Sequence, residues 1–210
     1  MPLTKICGLS TRAALEAALD GGAAFVGFMV FEASPRRVTL NEAAALAALA
    51  RGRAKIVAVT VDPDDALVSR LTAELGPDFI QLHGRENPRR VRQIAERIEV
   101  IKAVPVSGPD DLAAALVYED VAAHLMFDAK APAEAARPGG HGQPFDWSLL
   151  AGRQFRRPWF LAGGLNPDNI ADAVAASGAP MVDVSSGVED SAGLKDPALI
   201  TRFLDAVRRA

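Results

Sequence analysis

Ala24-Phe25-Val26-Gly27-Phe28-Met29-Val30 carries no polar residue at any position. A strand with one face in water alternates polar and apolar side chains. An unbroken apolar run of this length reads instead as a strand buried on both faces, which is the situation of a parallel sheet covered by helices. The flanks agree. Upstream, residues 13–20 read as a helix with Ser10 as a candidate N-cap and Gly21-Gly22 closing it. Downstream, beyond a loop at 31–37, the alanine- and leucine-rich stretch 40–50 reads as a second helix followed by Gly52.

The same unit recurs along the chain. The first apolar run is 3–7, ending at Gly8. A third strand is expected at 55–61 with a helix at 63–75, a fourth at 78–82 with a helix at 88–98, and a fifth at 100–104 with a helix at 109–117. A sixth follows at 124–128, then a long glycine-rich loop and a helix at 146–151. The seventh covers 159–162 with a helix at 167–177, and the eighth covers 181–184 before a last helix at 197–208. Prolines at 63, 88, 109, 167 and 197 stand where a first helical turn tolerates them.

Eight strand–helix units fit either a closed (β/α)8 barrel or an open doubly wound sheet. The count of eight and the lack of a Gly-x-Gly-x-x-Gly turn after the first strand select the barrel, an α/β fold of the TIM type. About 26 residues per unit is compact but sufficient. Nothing in the sequence cuts it, so 1–210 is read as one catalytic domain.

Composition narrows the function. Hydrophobic residues make up 50 % of the chain and charged residues 23 %, enough for a full core under a polar surface. The net charge of −3 argues against nucleic acid or an anionic membrane as partner. Arginine runs at 89–92 and 153–157 read as solvated surface. Cys7 is the sole cysteine, so no intrachain disulfide can form, and a reducing cytoplasm is the expected location. Met1-Pro2-Leu3-Thr4-Lys5 lacks the features of a signal peptide, and no apolar stretch is long enough to span a bilayer. His83, His124 and His141 fall on separate units, which predicts no metal, and no nucleotide fingerprint calls for a cofactor.

In such barrels the chemistry sits at the C-terminal ends of the strands. The expected strand ends carry Cys7, the loop Ser34-Pro35-Arg36-Arg37, Asp62, His83, Asp128, Gly163-Gly164, and Asp183 with Ser185-Ser186-Gly187. The last two loops follow strands seven and eight, where backbone N–H groups in many barrels bind phosphate, assisted here by an extra helix expected near 188–191. Cys7 and Asp128 suit opposite proton duties. A thiol needs a lowered pKa to act as a base, and a cationic pocket could supply it. An aspartate needs desolvation to act as an acid. One group of each kind is the equipment of a proton-transferring isomerase acting on a small phosphorylated molecule. The plainer alternatives are a small buried hydrophobe for Cys7 and a salt bridge to Lys130 for Asp128.

The ordered set Lys5-Ile6-Cys7-Gly8, Ser34-Pro35-Arg36, Gln81-Leu82-His83-Gly84, Asp128-Ala129-Lys130, Gly139-Gly140-His141-Gly142, Phe145-Asp146-Trp147, Ala162-Gly163-Gly164-Leu165-Asn166-Pro167, Val182-Asp183-Val184-Ser185-Ser186-Gly187-Val188-Glu189 and Lys195-Asp196-Pro197 resembles the phosphoribosylanthranilate isomerases of tryptophan biosynthesis over essentially the whole chain. The resemblance implies an Amadori rearrangement of an aminoaldose to an aminoketose. It implies Asp128 as the acid that opens the ribose ring and Cys7 as the base at C2′. It implies Arg36, read here as an exposed loop arginine, on the anthranilate carboxylate, Asp183 on a ribose hydroxyl, and His83 lining the pocket. The related histidine-pathway isomerase is a rival, but it resembles this chain less: it has aspartate where Cys7 stands, and the acidic loop Asp62-Pro63-Asp64-Asp65 suits no second phosphate. A non-catalytic phosphate-binding barrel would need the glycine loops but not Cys7 with Asp128. A monomer and a homodimer both fit the sequence.

Overall fold

The computed structural model describes residues 1–130, 144–191 and 194–210. Its strands are β1 (Leu3–Cys7), β2 (Phe25–Met29), β3 (Lys55–Thr60), β4 (Phe79–Leu82), β5 (Glu99–Val106), β6 (His124–Ala129), β7 (Trp159–Leu161) and β8 (Met181–Val184), closed into a barrel in sequence order. All neighbours pair in parallel, and β1 closes the ring on β8 through Lys5↔Asp183 and its neighbours. The expected (β/α)8 barrel is the observed fold.

The outer layer comprises α1 (Arg12–Asp20), α2 (Leu40–Ala50), α3 (Asp65–Arg70), α4 (Pro88–Ala95), α5 (Pro109–Ala115), α6 (Ile170–Ser177) and α7 (Pro197–Arg209). Local chemistry sets their starts. Thr39 and Glu42 form a reciprocal capping box on α2, and Asn87 caps α4 just ahead of Pro88. Three expectations shift for identifiable reasons. Thr11, not Ser10, caps α1, because its side chain reaches the Ala14 N–H. Asp64 caps α3, so Pro63 stays outside the helix, which then widens into a π-turn over Leu71–Leu75 and ends at the left-handed Gly76. The sixth unit carries a 3₁₀ turn, Trp147–Leu150, capped by Asp146, instead of a longer helix. The motif Gly139-Gly140-His141-Gly142 lies outside the described residues.

Because strand side chains alternate, the barrel interior fills in layers. Phe25, Phe79, His124 and Met181 come from the even strands and form the floor at the N-terminal rim. Phe160 joins them from the layer above. The rings meet edge to face, with centroids 5.1 Å apart for Phe25–Phe160 and for Phe79–His124. Higher up, Val57 and Ile101 are apolar, but the same interior also holds Lys5, Gln81 and Asp183, all buried.

His124 makes this floor sensitive to acid. Its Nδ1 is buried without a hydrogen-bond partner. Burial holds its pKa below the ordinary histidine value; the nearby Glu99 opposes this and Arg157 adds to it. The unfolded chain therefore takes up this proton more readily than the folded one. The histidine's neutral form supports folding above about pH 6.5, and stability falls as pH drops below that value. His124→Phe should flatten this dependence. Urea midpoints at neutral pH and near pH 5 should differ less in the variant than in the parent; an unchanged difference would assign the acid sensitivity elsewhere.

Candidate active site

At the C-terminal rim a cleft open to solvent lies between the strand ends. Cys7, Arg36, His83, Asp128, Asp183, Gly163, Gly164, Ser185 and Ser186 all line it. Nine of the ten residues expected at the site therefore converge on one cavity. Gly187 is the exception: it does not line the cleft but packs behind it, where a β-carbon would overlap the Leu165 carbonyl. Asp62, also expected at the rim, turns away. It adopts φ 46°, accepts from the Arg85 N–H at 2.7 Å, and its own N–H donates to Glu86.

Cys7 ends β1 and is 3 % exposed, with its side chain at the base of the cleft. The sequence expectation of a lowered thiol pKa is not met. Burial pushes the thiol up; Lys5 pulls it down, Asp183 pushes it up, and Lys195 again pulls it down, with a net rise. Three strands away around the ring, Asp128 near the end of β6 is also largely buried. Its Oδ2 lies 3.0 Å from His83 Nε2, and Gln81 Nε2 lies 3.0 Å from His83 Nδ1. These contacts place the His83 imidazole between the Gln81 amide and the Asp128 carboxyl group. Lys130, the alternative partner for Asp128, points instead to Asp111.

The loops after β7 and β8 are held by their own side chains. Asn166 and Asn169 exchange hydrogen bonds, and Asn169 Nδ2 donates to the Gly164 carbonyl at 2.9 Å. Gly163 has φ 86°, and a β-carbon there would strike the Ala129 backbone and approach Asp128 Oδ1 to 2.9 Å. No other residue could bring this loop so close to Asp128. The extra helix expected near 188–191 is absent. A single 3₁₀ turn, Ser186–Val188, leads into β9 (Glu189–Ser191), which pairs with β10 (Leu194–Lys195). The chain straightens at Glu189, whose carboxylate is engaged by Arg36 and Lys195.

That ion cluster revises the picture of Arg36. It is not an exposed loop arginine: it is 4 % exposed and grips Glu189 with two bonds, Nε–Oε1 at 2.6 Å and Nη2–Oε2 at 3.1 Å. Lys195, which the sequence reading placed only in a helix-start motif, joins the same carboxylate and lies beside Ser185. Arg36→Ala should therefore cost stability. Removing one partner of a buried ion pair typically costs ~3–5 kcal/mol, and Lys195 should keep the loss near the lower end. Urea denaturation at neutral pH measures it; a variant as stable as the parent would show that the pair contributes nothing.

Sequence reasoning also missed Lys5, Gln81, Glu86 and Lys102 as polar groups of the interior. Lys102 Nζ donates to Glu86 at 2.8 Å and to the Gly84 carbonyl at 2.9 Å, while Glu86 accepts the Asp62 and Gly84 N–H groups. This buried knot fixes the turns after β3 and β4, and with them His83. The signal was present: Lys5 and Lys102 are charges inside apolar strands. Among the described residues no cluster of three or more histidine, cysteine or carboxylate groups could hold a metal, and no helix is long and apolar enough to cross a membrane.

Comparison with known proteins adds an independent line. The family described as N-(5′-phosphoribosyl)anthranilate (PRA) isomerase matches residues 4–206. The N-(5′-phosphoribosyl)anthranilate isomerase of Caulobacter sp. (strain K31) is 61 % identical over 212 residues, covering 100 % of both chains. The crystal structure of phosphoribosyl anthranilate isomerase from Thermotoga maritima superposes with a TM-score of 0.91 at 34 % identity, covering 100 % of both chains. A phosphoribosyl anthranilate isomerase in complex with reduced 1-(o-carboxyphenylamino)-1-deoxyribulose 5-phosphate gives 0.88 at 32 % identity, again over 100 % of both chains.

Proposed function

Because this chain belongs to the N-(5′-phosphoribosyl)anthranilate isomerase family, we propose that Cys7 and Asp128 are the base and acid of its reaction. The enzyme is an aldose–ketose isomerase of tryptophan biosynthesis. It converts N-(5-phosphoribosyl)anthranilate to 1-(2-carboxyphenylamino)-1-deoxyribulose 5-phosphate, a small phosphorylated substrate and product. The observation that carries the assignment is that Cys7 and Asp128 open onto one cleft from strands on different sides of the ring, beside the two glycine loops.

In this reading Asp128 gives its proton to the ribose ring oxygen. The bond from that oxygen to C1′ breaks, and the nitrogen lone pair forms the C1′=N bond of a protonated Schiff base. The Cys7 thiolate then removes the C2′ proton. The released electron pair forms C1′=C2′, and the C=N electrons return to nitrogen. The resulting enolamine tautomerises to the ketone. Donors of Arg36 not used by Glu189 take the anthranilate carboxylate. His83 lines the pocket while orienting Asp128, and Asp183 takes a ribose hydroxyl beside its bond to Lys5.

The phosphate goes to the backbone of Gly163, Gly164, Ser185 and Ser186, with Gly187 giving that loop its close packing. Every one of these groups comes from a single copy, so residues 1–210 work as one catalytic domain, in a monomer or in each half of a homodimer. The cytoplasm, which keeps Cys7 reduced, is the working compartment. A complex with the reduced product analogue tests the whole arrangement. The phosphate is expected on the loops after β7 and β8 and the carboxylate at Arg36. A phosphate seated at the opposite rim, or at the loop after β3, would overturn it.

A further inference from the structure

Lys5 is among the largest side chains wholly removed from water in the described part of the protein. An ammonium in a barrel interior is costly, and replacing a buried ion pair with apolar residues is often neutral or stabilising. Its partner Asp183, at 2.7 Å, explains how the charge is tolerated. It does not explain why a charge is there.

The layering does. Lys5 and Cys7 are two residues apart on β1, so both point inward, one layer above the other. On the neighbouring strand Gly27 pairs in register with Cys7. A β-carbon at position 27 would lie 3.1 Å from Cys7 Sγ and 3.2 Å from Lys5 Nζ. The ammonium thus rises beside the sulfur through space that any other residue at 27 would fill. We propose that Lys5 is a positioning residue for the reaction: a buried cation, anchored by Asp183 and facing Cys7 across the gap at Gly27, that favours the thiolate form of Cys7 against the burial of its sulfur. The proposal rests on the reading of Cys7 as the base.

The charges around the sulfur support it. Burial drives the thiol toward its neutral form, and Lys5 is the first of the groups opposing that; Lys195 adds to it, and Asp183 works against it. For Lys5 itself, burial favours loss of the charge, but Asp183 and Cys7 together outweigh it, and its pKa stands above the ordinary lysine value. Lys5 therefore stays cationic wherever the enzyme works.

With one cysteine in the chain, every thiol signal belongs to Cys7. The test is the pH dependence of Cys7 alkylation by iodoacetamide, and of the thiolate ultraviolet band, in the parent and in Lys5→Gln. Glutamine can still donate to Asp183 but carries no charge. The thiol midpoint should rise by about one pH unit or more. At neutral pH kcat should fall about ten-fold or more, and it should recover toward the parent value above the new midpoint, which a merely structural role would not produce. A folded variant with an unmoved midpoint overturns the proposal. Should Lys5→Gln not fold, nitrogen NMR of the lysine side chains in the parent protein decides: the Lys5 signal should shift in step with the thiolate band, and a signal indifferent to it overturns the proposal. Failure of the underlying reading looks different. A fully active Cys7→Ala enzyme would remove Cys7 as the base while leaving the midpoint shift in Lys5→Gln intact.

Discussion

Cys7→Ala is expected to lower kcat by at least about 10²–10⁴-fold, the usual contribution of a positioned acid or base, while the barrel stays folded. The sulfur occupies little volume at the base of an existing cleft, so its loss leaves no large sealed void. Cys7→Ser should be nearly as poor, because a hydroxyl is a far weaker proton acceptor than a thiolate. The free enzyme should also show its base in the pH profile. The base must be unprotonated, and burial holds its thiol above the ordinary value. Therefore kcat/KM should climb with pH and keep climbing past about pH 8.5. Full activity in Cys7→Ala would return the residue to a small buried hydrophobe, and a profile already flat at neutral pH would contradict the raised thiol.

Asp128→Asn should cause a loss of the same order, about 10²–10⁴-fold in kcat, with little change in fold. Asparagine matches the carboxylate in size and can still hydrogen-bond His83 Nε2 through its amide, so the Gln81–His83 pair keeps its geometry. What disappears is the proton for the ring oxygen. Loss of an interaction made only in the transition state lowers kcat and kcat/KM together, so KM should change little. A variant that raised KM at unaltered kcat would make Asp128 a binding residue instead of the acid.

How much of this was legible in the sequence can be argued residue by residue. The barrel was, because a buried parallel strand has a one-dimensional signature: residues 24–30 are apolar throughout, and turn residues bound each unit. The rim residues followed from the fold rule, since a strand end is a position along the chain. Pairings between distant residues were not readable. Arg36 looked exposed because its loop is polar, and only Glu189, 153 positions away, draws it inside. Near 188–191, where a helix was expected, the chain instead forms the antiparallel β9–β10 pair. The direction of the Cys7 shift was missed for a related reason. Sequence reading supplied cations for the pocket but not the burial that outweighs them. Lys5 stood in a quoted motif, yet its importance depends on what Gly27 leaves empty on the next strand.

The seam of the barrel has a consequence of its own. β1 hydrogen-bonds to β8 just as any other neighbours do, α1 packs on α7, and Arg208 near the end of α7 donates to the Gly21 carbonyl at the end of α1. The first and last units are therefore ordinary neighbours, and the order in which the eight units are strung matters little to the finished ring. A gene rearranged so that translation starts at β3, with a short glycine-rich tether joining the present ends, should encode the same barrel. Cys7 would then be made late in synthesis and Asp128 early, yet the two would still meet across the same mouth.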